Sequence, residues 1–440
     1  MQLLPKISWF PAFAAGVCFL LGVHPVGADE NESITDSSGR LEFRALMINA
    51  FMYRSDTDFD RTEPPGDNGQ SGGAFATVFK PTITFHAASN VRLVYEIEVD
   101  WRLPQVVDPR HRKAYTEGEV LSGSLGFRTG YHYFSDPTAL FIGHWTTAAT
   151  AWYNAGERTR IGAFLAQIPD NVYEGLRLDE NNFKNDILVF GPRTDFAIGA
   201  DFDLSLAAVG LYDSHRNDQK RWVVAPTVRL AYSGEALSFT LDGVLQVGKD
   251  QGATGDSPDQ QILAWAAQAH ATYKAGSAEI DFNALVLSAD DAAEGNKKSG
   301  AFLYSSKSRS ATILFTEDEL HNWYDQFDRR AAQNRGGFFE HRTGFFLADV
   351  KATWIATDVF RPALILGAAT VLQKANAQDN SFVGVETNLD LEFRSSKHLS
   401  GHIVGGALIP GGAGAALLNS IDRTAKRPIF ALQAYVQSRF

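Results

Sequence analysis

The stretch Ile429-Phe-Ala-Leu-Gln-Ala-Tyr-Val-Gln-Ser-Arg-Phe440 decides the fold. Every second residue reads Phe430, Leu432, Ala434, Val436, Ser438, Phe440. The other register reads Ala431, Gln433, Tyr435, Gln437, Arg439. A period of two is a strand with one apolar and one wetter face. A terminal Phe at the end of such a strand is the pattern of the closing strand of a bacterial outer-membrane barrel, with Ser438 standing where another apolar residue is more usual. The alternative is a half-buried strand at the end of a soluble sandwich.

Working outward, similar runs of roughly ten to fourteen residues recur from 41–53 to 429–440, sixteen in all. Soluble strands are typically ~5–6 residues long, whereas a tilted strand needs ~9–11 to cross a bilayer. Connectors alternate between tight turns (87–90, 135–138, 200–203, 233–236, 275–277, 357–359, 395–398) and longer loops, among them 102–121, of which 150–192 and 289–341 are the largest. Short turns on one side and longer loops on the other mark an outer-membrane barrel. The expectation is an all-β, antiparallel, up-and-down transmembrane barrel of sixteen strands. An extra hairpin within 150–192 raises the count to eighteen.

Within the runs, one register is apolar and the other charged. In 381–394, Val383, Val385, Thr387, Leu389, Leu391 and Phe393 oppose Gly384, Glu386, Asn388, Asp390, Glu392 and Arg394. In 91–101, Leu93, Tyr95, Ile97, Val99 and Trp101 oppose Arg92, Glu96, Glu98 and Asp100. Only closure pairs every strand N–H and C=O in lipid, so the apolar register is expected outside and the ionised one inside. The expected pore-lining set is Lys80, Arg92, Glu96, Glu98, Arg128, Arg229, Asp349, Lys351, Glu386, Asp390 and Arg394. Trp101, Tyr133, Trp222, Tyr232, Tyr273 and Trp354 fall toward strand ends, where aromatic girdles belong.

Residues 1–28 read as a secretory signal: Lys6, an apolar run from Phe10 to Val23, and Val26-Gly-Ala28 before Asp29. Residues 29–40 read as a periplasmic lead-in and 41–440 as one barrel domain. The 440-residue chain has a net charge of −11 and a single cysteine, Cys18. That excludes a disulfide framework and disfavours nucleic acid, which needs clustered Lys and Arg. Thr316-Glu-Asp-Glu319 has capping-box spacing, and Leu320, Trp323, Tyr324, Phe327 and Ala331 recur at helical spacing. A short helix is predicted over 317–332, packed on the loop cap or folded into the mouth as a constriction.

No Gly-x-Ser-x-Gly elbow, His-Glu-x-x-His or phosphate-binding glycine loop is present. His132 and His270 fall on the inward register as solvated side chains. His144 and His402 are the only strand histidines that an outer-membrane hydrolase reading can offer, and neither has an evident serine or aspartate partner in the sequence. The acidic stretches Asp56–Asp67 and Asp256–Asp259 read as solvated loops. No catalytic residue, metal or cofactor is assigned.

In residues 342–440 the runs Phe346 to Trp354 and Pro362 to Val371 lead into Phe382-Val-Gly-Val-Glu-Thr-Asn-Leu-Asp-Leu391. A strand ending in Ile409-Pro-Gly-Gly412 and the terminal Phe strand follow. This order resembles the C-terminal third of the alginate-export family of outer-membrane porins, with Gly384, Glu386 and Asp390-Leu391 close to that family's Gly-x-Glu-x-Asp-Leu pattern. The resemblance implies a monomeric barrel of eighteen strands that conducts polar solutes, in the best-known case an anionic polysaccharide. Alginate exporters line the pore with arginine; here acidic and basic residues are mixed.

The sequence therefore points to a Gram-negative outer-membrane channel for passive diffusion or export of small hydrophilic or charged solutes. Its expected partners are outer-membrane lipid and lipopolysaccharide, the barrel assembly machinery through the C-terminal strand, and a polar solute. A plugged barrel that sheathes a periplasmic partner is the rival reading; an enzyme is a third.

Overall fold

The computed structural model describes residues 39–54, 72–103, 107–168, 187–213, 220–251, 259–290, 298–300, 302, 310–312, 343–418 and 427–440. The signal segment 1–28, most of the lead-in 29–40, the acidic stretch 56–67 and the helix expected over 317–332 lie outside them. Among the described residues no helix is long and apolar enough to cross a membrane.

The chain forms strands β1 (Arg40–Arg54), β2 (Gly72–Ala88), β3 (Val91–Leu103), β4 (Val107–Val120), β5 (Leu125–Ser135) and β6 (Gly143–Asn154). There follow β7 (Thr159–Ile168), β8 (Ile187–Ile198), β9 (Phe202–Asp213), β10 (Arg221–Ser233), β11 (Leu237–Asp250), β12 (Gln260–Ala275) and β13 (Ala278–Leu287). The last are β14 (Lys298–Ser299), β15 (Phe345–Trp354), β16 (Phe360–Thr370), β17 (Phe382–Ser396), β18 (Leu399–Pro410) and β19 (Ile429–Arg439), with a short helix α1 (Gly412–Leu418) before the last. The two-residue β14 joins β12 in parallel. The other strands make a closed antiparallel barrel of eighteen. Closure runs from Leu46↔Arg439 to Arg54↔Ala431, and Phe440 exchanges two backbone bonds with Ala45, at 2.8 and 3.0 Å.

The count of eighteen is met, but by a different route from the expected extra hairpin. The loop expected at 102–121 contains β4, and 150–192 contains β7 alone, because Ile187–Phe190 belongs to β8. β4 escapes a period-two reading because its outward residues include Pro109 and His111, and a bulge opposite Glu96/Ile97 breaks its alternation. β7 escapes because Ile161 and Leu165 face out while Phe164, Ala166 and Ile168 face in, so both registers are apolar. With β4 and β7 present on either side, the β5–β6 hairpin runs opposite to its expected direction, and the two additional strands keep the count even. The turn expected at 135–138 is instead the buried loop 136–142, at the same end as the long loops.

The inversion of faces is plain on β17. Glu386, Asn388 and Asp390 are 0, 1 and 6 % exposed, whereas Leu389 between them is 51 % exposed. Outside a membrane this would be an inside-out protein; a lipid belt on the outer face is its physical reason. Aromatic clusters mark both rims. Phe202, Tyr232 and Phe239 sit together at the end of the short turns, with Phe202–Tyr232 4.8 Å apart and Tyr232–Phe239 5.4 Å apart. Phe51 and Phe75, 4.8 Å apart, sit at the loop end.

One residue departs from the alternation on β17. Val383, expected on the lipid face, is fully buried. The β16–β17 register shifts beside Ala369/Thr370. Gly384 follows at φ +156°, and a Cβ there would lie 2.6 Å from the Ile409 carbonyl oxygen. The glycine of the recognised motif is thus the residue that lets the strand bulge.

Candidate functional site

The barrel interior holds two unlike layers. Near the short-turn end it is charged. Near the loop end most of the circumference is apolar: Ile168, Val189, Leu211, Val223, Ile262, Leu287, Phe345, Leu408 and Ile429 are all buried. The charged interior expected from alternation holds around the first layer, but at the loop end it persists only locally, as at Asp100 on β3 and Glu386 on β17.

All eleven residues expected on the inner wall occupy the inward register, and each has a partner there. Lys80 Nζ lies 2.6 Å from Glu98 Oε2, and Arg112 pairs with the other oxygen of Glu98. Lys113 Nζ donates to Glu96 Oε2 at 2.8 Å, and Thr82 Oγ1 donates to the same oxygen at 2.7 Å. Arg92 Nε and Arg128 Nε donate to the two oxygens of Glu117 at 2.6 and 2.7 Å. Arg229 grips Asp242 with two bonds, 2.7 and 3.1 Å. Lys351 Nζ donates to Asp390 Oδ2 at 3.0 Å. Arg394 pairs with Glu392, and Asn388 Nδ2 donates to Glu386 at 2.7 Å.

The β4 counterions of four of these residues, Glu96, Glu98, Arg92 and Arg128, are hidden from the sequence pattern, because Arg112, Lys113 and Glu117 lie on a strand without alternation. The available signal was the cluster Arg110-His-Arg-Lys113 followed by Glu117, whose charges complement Glu96, Glu98 and Arg92 on the neighbouring β3.

Segments of the loop end fold onto the apolar layer. In 136–142, Asp136 accepts bonds from the backbone N–H of Thr138, Ala139, Phe141 and Ile142 at 2.7 to 3.2 Å. That one carboxylate satisfies donors that a buried loop would otherwise leave unpaired. Phe141 meets Phe302 edge-on at 6.5 Å. From the same long loop, Ala311 N–H donates to Asp349 Oδ1 at 3.1 Å, and Asn283 Nδ2 donates to that oxygen at 2.9 Å. Asp349 is thus the latch by which 310–312 is fixed to the wall. In α1, Ala413 and Ala415 are fully buried, and the helix packs on β17.

The histidines are absorbed into these networks. His402 Nδ1 is 3.1 Å from Asp390, and its ring stacks on Tyr435 at 4.8 Å. His270 Nδ1 is 2.7 Å from Asn283 Oδ1. His132 Nδ1 is 3.0 Å from the Gly130 carbonyl oxygen. Among the described residues no three His, Cys, Asp or Glu side chains are grouped to hold a metal ion.

No protein-family model matches the chain, and no curated protein matches it significantly. Solved structures do. OccK2 (OpdF) of Pseudomonas aeruginosa, in complex with glucuronate, aligns with TM-score 0.57 at 9 % identity over 92 % of this chain and 99 % of that one. OccAB1 of Acinetobacter baumannii aligns with TM-score 0.56 at 8 % identity, over 93 % and 99 %. The outer membrane protein OprD of Pseudomonas aeruginosa aligns with TM-score 0.51 at 10 % identity, over 92 % and 95 %. The fold is that of an outer-membrane porin. As in a barrel of that fold set in a membrane, the apolar register faces outward and the ionised register inward. At these identities the likeness is one of architecture, and the matched porins are of the OprD/Occ type rather than the alginate-export type.

Proposed function

We propose that this porin barrel is a passive channel for small hydrophilic or charged solutes. The observation that carries the reading is the charged inner layer. Carboxylates as buried as Glu98 and Asp242 are held by Lys80, Arg112 and Arg229, which remain partly open to the interior. A barrel meant only to be filled would not need ionised residues over so much of its wall. Pore-lining roles are proposed for Lys80, Arg92, Glu96, Glu98, Arg128, Arg229, Asp349, Lys351, Glu386, Asp390 and Arg394. Pairs of opposite sign across the wall orient a dipolar solute rather than draw in one sign of ion. The mixed signs also argue against a polyanion such as alginate as cargo. The channel works as a monomer in lipid and lipopolysaccharide, inserted by the barrel assembly machinery through β19.

A second reading has its own observation. The apolar layer, covered by 136–142, 310–312 and α1, favours a largely plugged barrel that serves as a structural sheath. Planar bilayers separate the two. The channel reading expects discrete conductance steps from purified protein, and their absence would reject it. It also expects Asp349→Ala to raise conductance or open time several-fold by releasing 310–312 from the wall. Should Asp349→Ala leave both unchanged, that segment plays no part in limiting flow.

A further inference from the structure

We propose that a polar pocket in the charged layer binds a small linear solute whose ammonium and carboxylate lie several bonds apart, such as an ω-amino acid or a short peptide through its two termini. The proposal rests on the channel reading and names the class of solute it serves. The pocket, about 130 Å³, opens among β13, β15, β16 and β17.

Most charges around it are already paired. Lys351 holds Asp390 at 3.0 Å, Arg394 holds Glu392, and Asp281 accepts from Thr272 Oγ1 at 2.6 Å. Two are not. Among the described residues neither Glu279 nor Arg361 makes an ion pair or a side-chain hydrogen bond. The Nε of Arg361 is moreover shut away from solvent without an acceptor. A guanidinium partly desolvated in this way is costly to leave without a counter-charge, and its outer nitrogens, which are not shut away, are where an anion in the pocket would bind. The lone carboxylate of Glu279 is matched by a cation.

The ladder sets their spacing. Glu279 pairs with Thr353 on β15, and Thr353 with Ala363 on β16, two residues from Arg361. Two strand spacings and one two-residue step put the α-carbons roughly 12 Å apart, and the long side chains shorten the gap between charges. An anion alone meets the surplus of carboxylates formed by Glu279, Asp281, Asp390 and Glu392. A cation alone leaves Arg361 unserved. One molecule with both charges, separated by a short chain, satisfies both. An α-amino acid whose charges are adjacent spans less of the gap.

The test uses the full-length protein in detergent, with 6-aminohexanoate as probe and glycine, hexylamine and hexanoate as controls, followed by calorimetric titration. The expected result is measurable binding of 6-aminohexanoate and at least ten-fold weaker binding of each control. Arg361→Gln should reduce 6-aminohexanoate to the level of hexylamine, and Glu279→Gln to that of hexanoate. Neither change strands a partner, and heat-modifiable migration on gels confirms that both variants fold. Equal binding of all four compounds, no binding, or full affinity in both variants would overturn the proposal. A protein that conducts but does not bind sinks this inference alone. One that binds but never conducts sinks the channel reading instead.

Discussion

Glu98→Ala is expected to lower the unfolding free energy of the barrel in lipid vesicles by about 3–5 kcal/mol, the cost typical of breaking a buried ion pair from one side. Glu98 is 1 % exposed and lies between Lys80 and Arg112. Removing it leaves two cations on β2 and β4, either side of β3, without the carboxylate between them, each about three-quarters withdrawn from water at the side chain. Their residual exposure screens part of the repulsion, which places the effect toward the lower end of the range. Glu98→Gln keeps an acceptor for both donors and should cost less. The triple change Glu98→Leu, Lys80→Met, Arg112→Leu removes the charges together and should come out near neutral, as replaced ionic groups often do. Guanidinium unfolding monitored by tryptophan fluorescence reads all three. A Glu98→Ala loss below about 1 kcal/mol would mean that lumen water, not the protein, solvates this cluster.

Leu389→Arg should cost about 2–4 kcal/mol in the same assay, and Leu399→Arg about 0–1 kcal/mol, because the penalty for a charge on the lipid face depends on depth. Leu389 is the central residue of β17, and Leu399 is the first residue of β18 at the short-turn rim. Both are more than 40 % exposed. On a water-soluble barrel the two substitutions would fall within about ±0.5 kcal/mol of neutral and of each other. Equal, small effects would therefore remove the lipid belt from the account, whatever the strand count.

How far the interior was legible depended on whether a strand carried alternation. β17 does, and Glu386, Asn388 and Asp390 are buried on the register that alternation gives them; only Val383, at the bulge, lies on the other face. β4 did not, so Arg112, Lys113 and Glu117 were assigned to a loop although they hold Glu98, Glu96 and Arg92. Asp136 and Asp349 show a different limit. A carboxylate that gathers four backbone amides of its own loop, and one that pins a segment from another part of the chain, have no local pattern to announce them.

The sequence by itself determined the barrel architecture and, on the strands that alternate, which register faces outward and which carries charge, because a period of two is a local property that each such strand states independently. Tertiary structure alone decided which charges meet, which loops turn inward and that the loop-end interior is apolar. Those depend on neighbours brought together by strand register and on segments far apart in the chain, where side chains such as Phe141 and Phe302, or Ala311 and Asp349, find each other only after the barrel has closed.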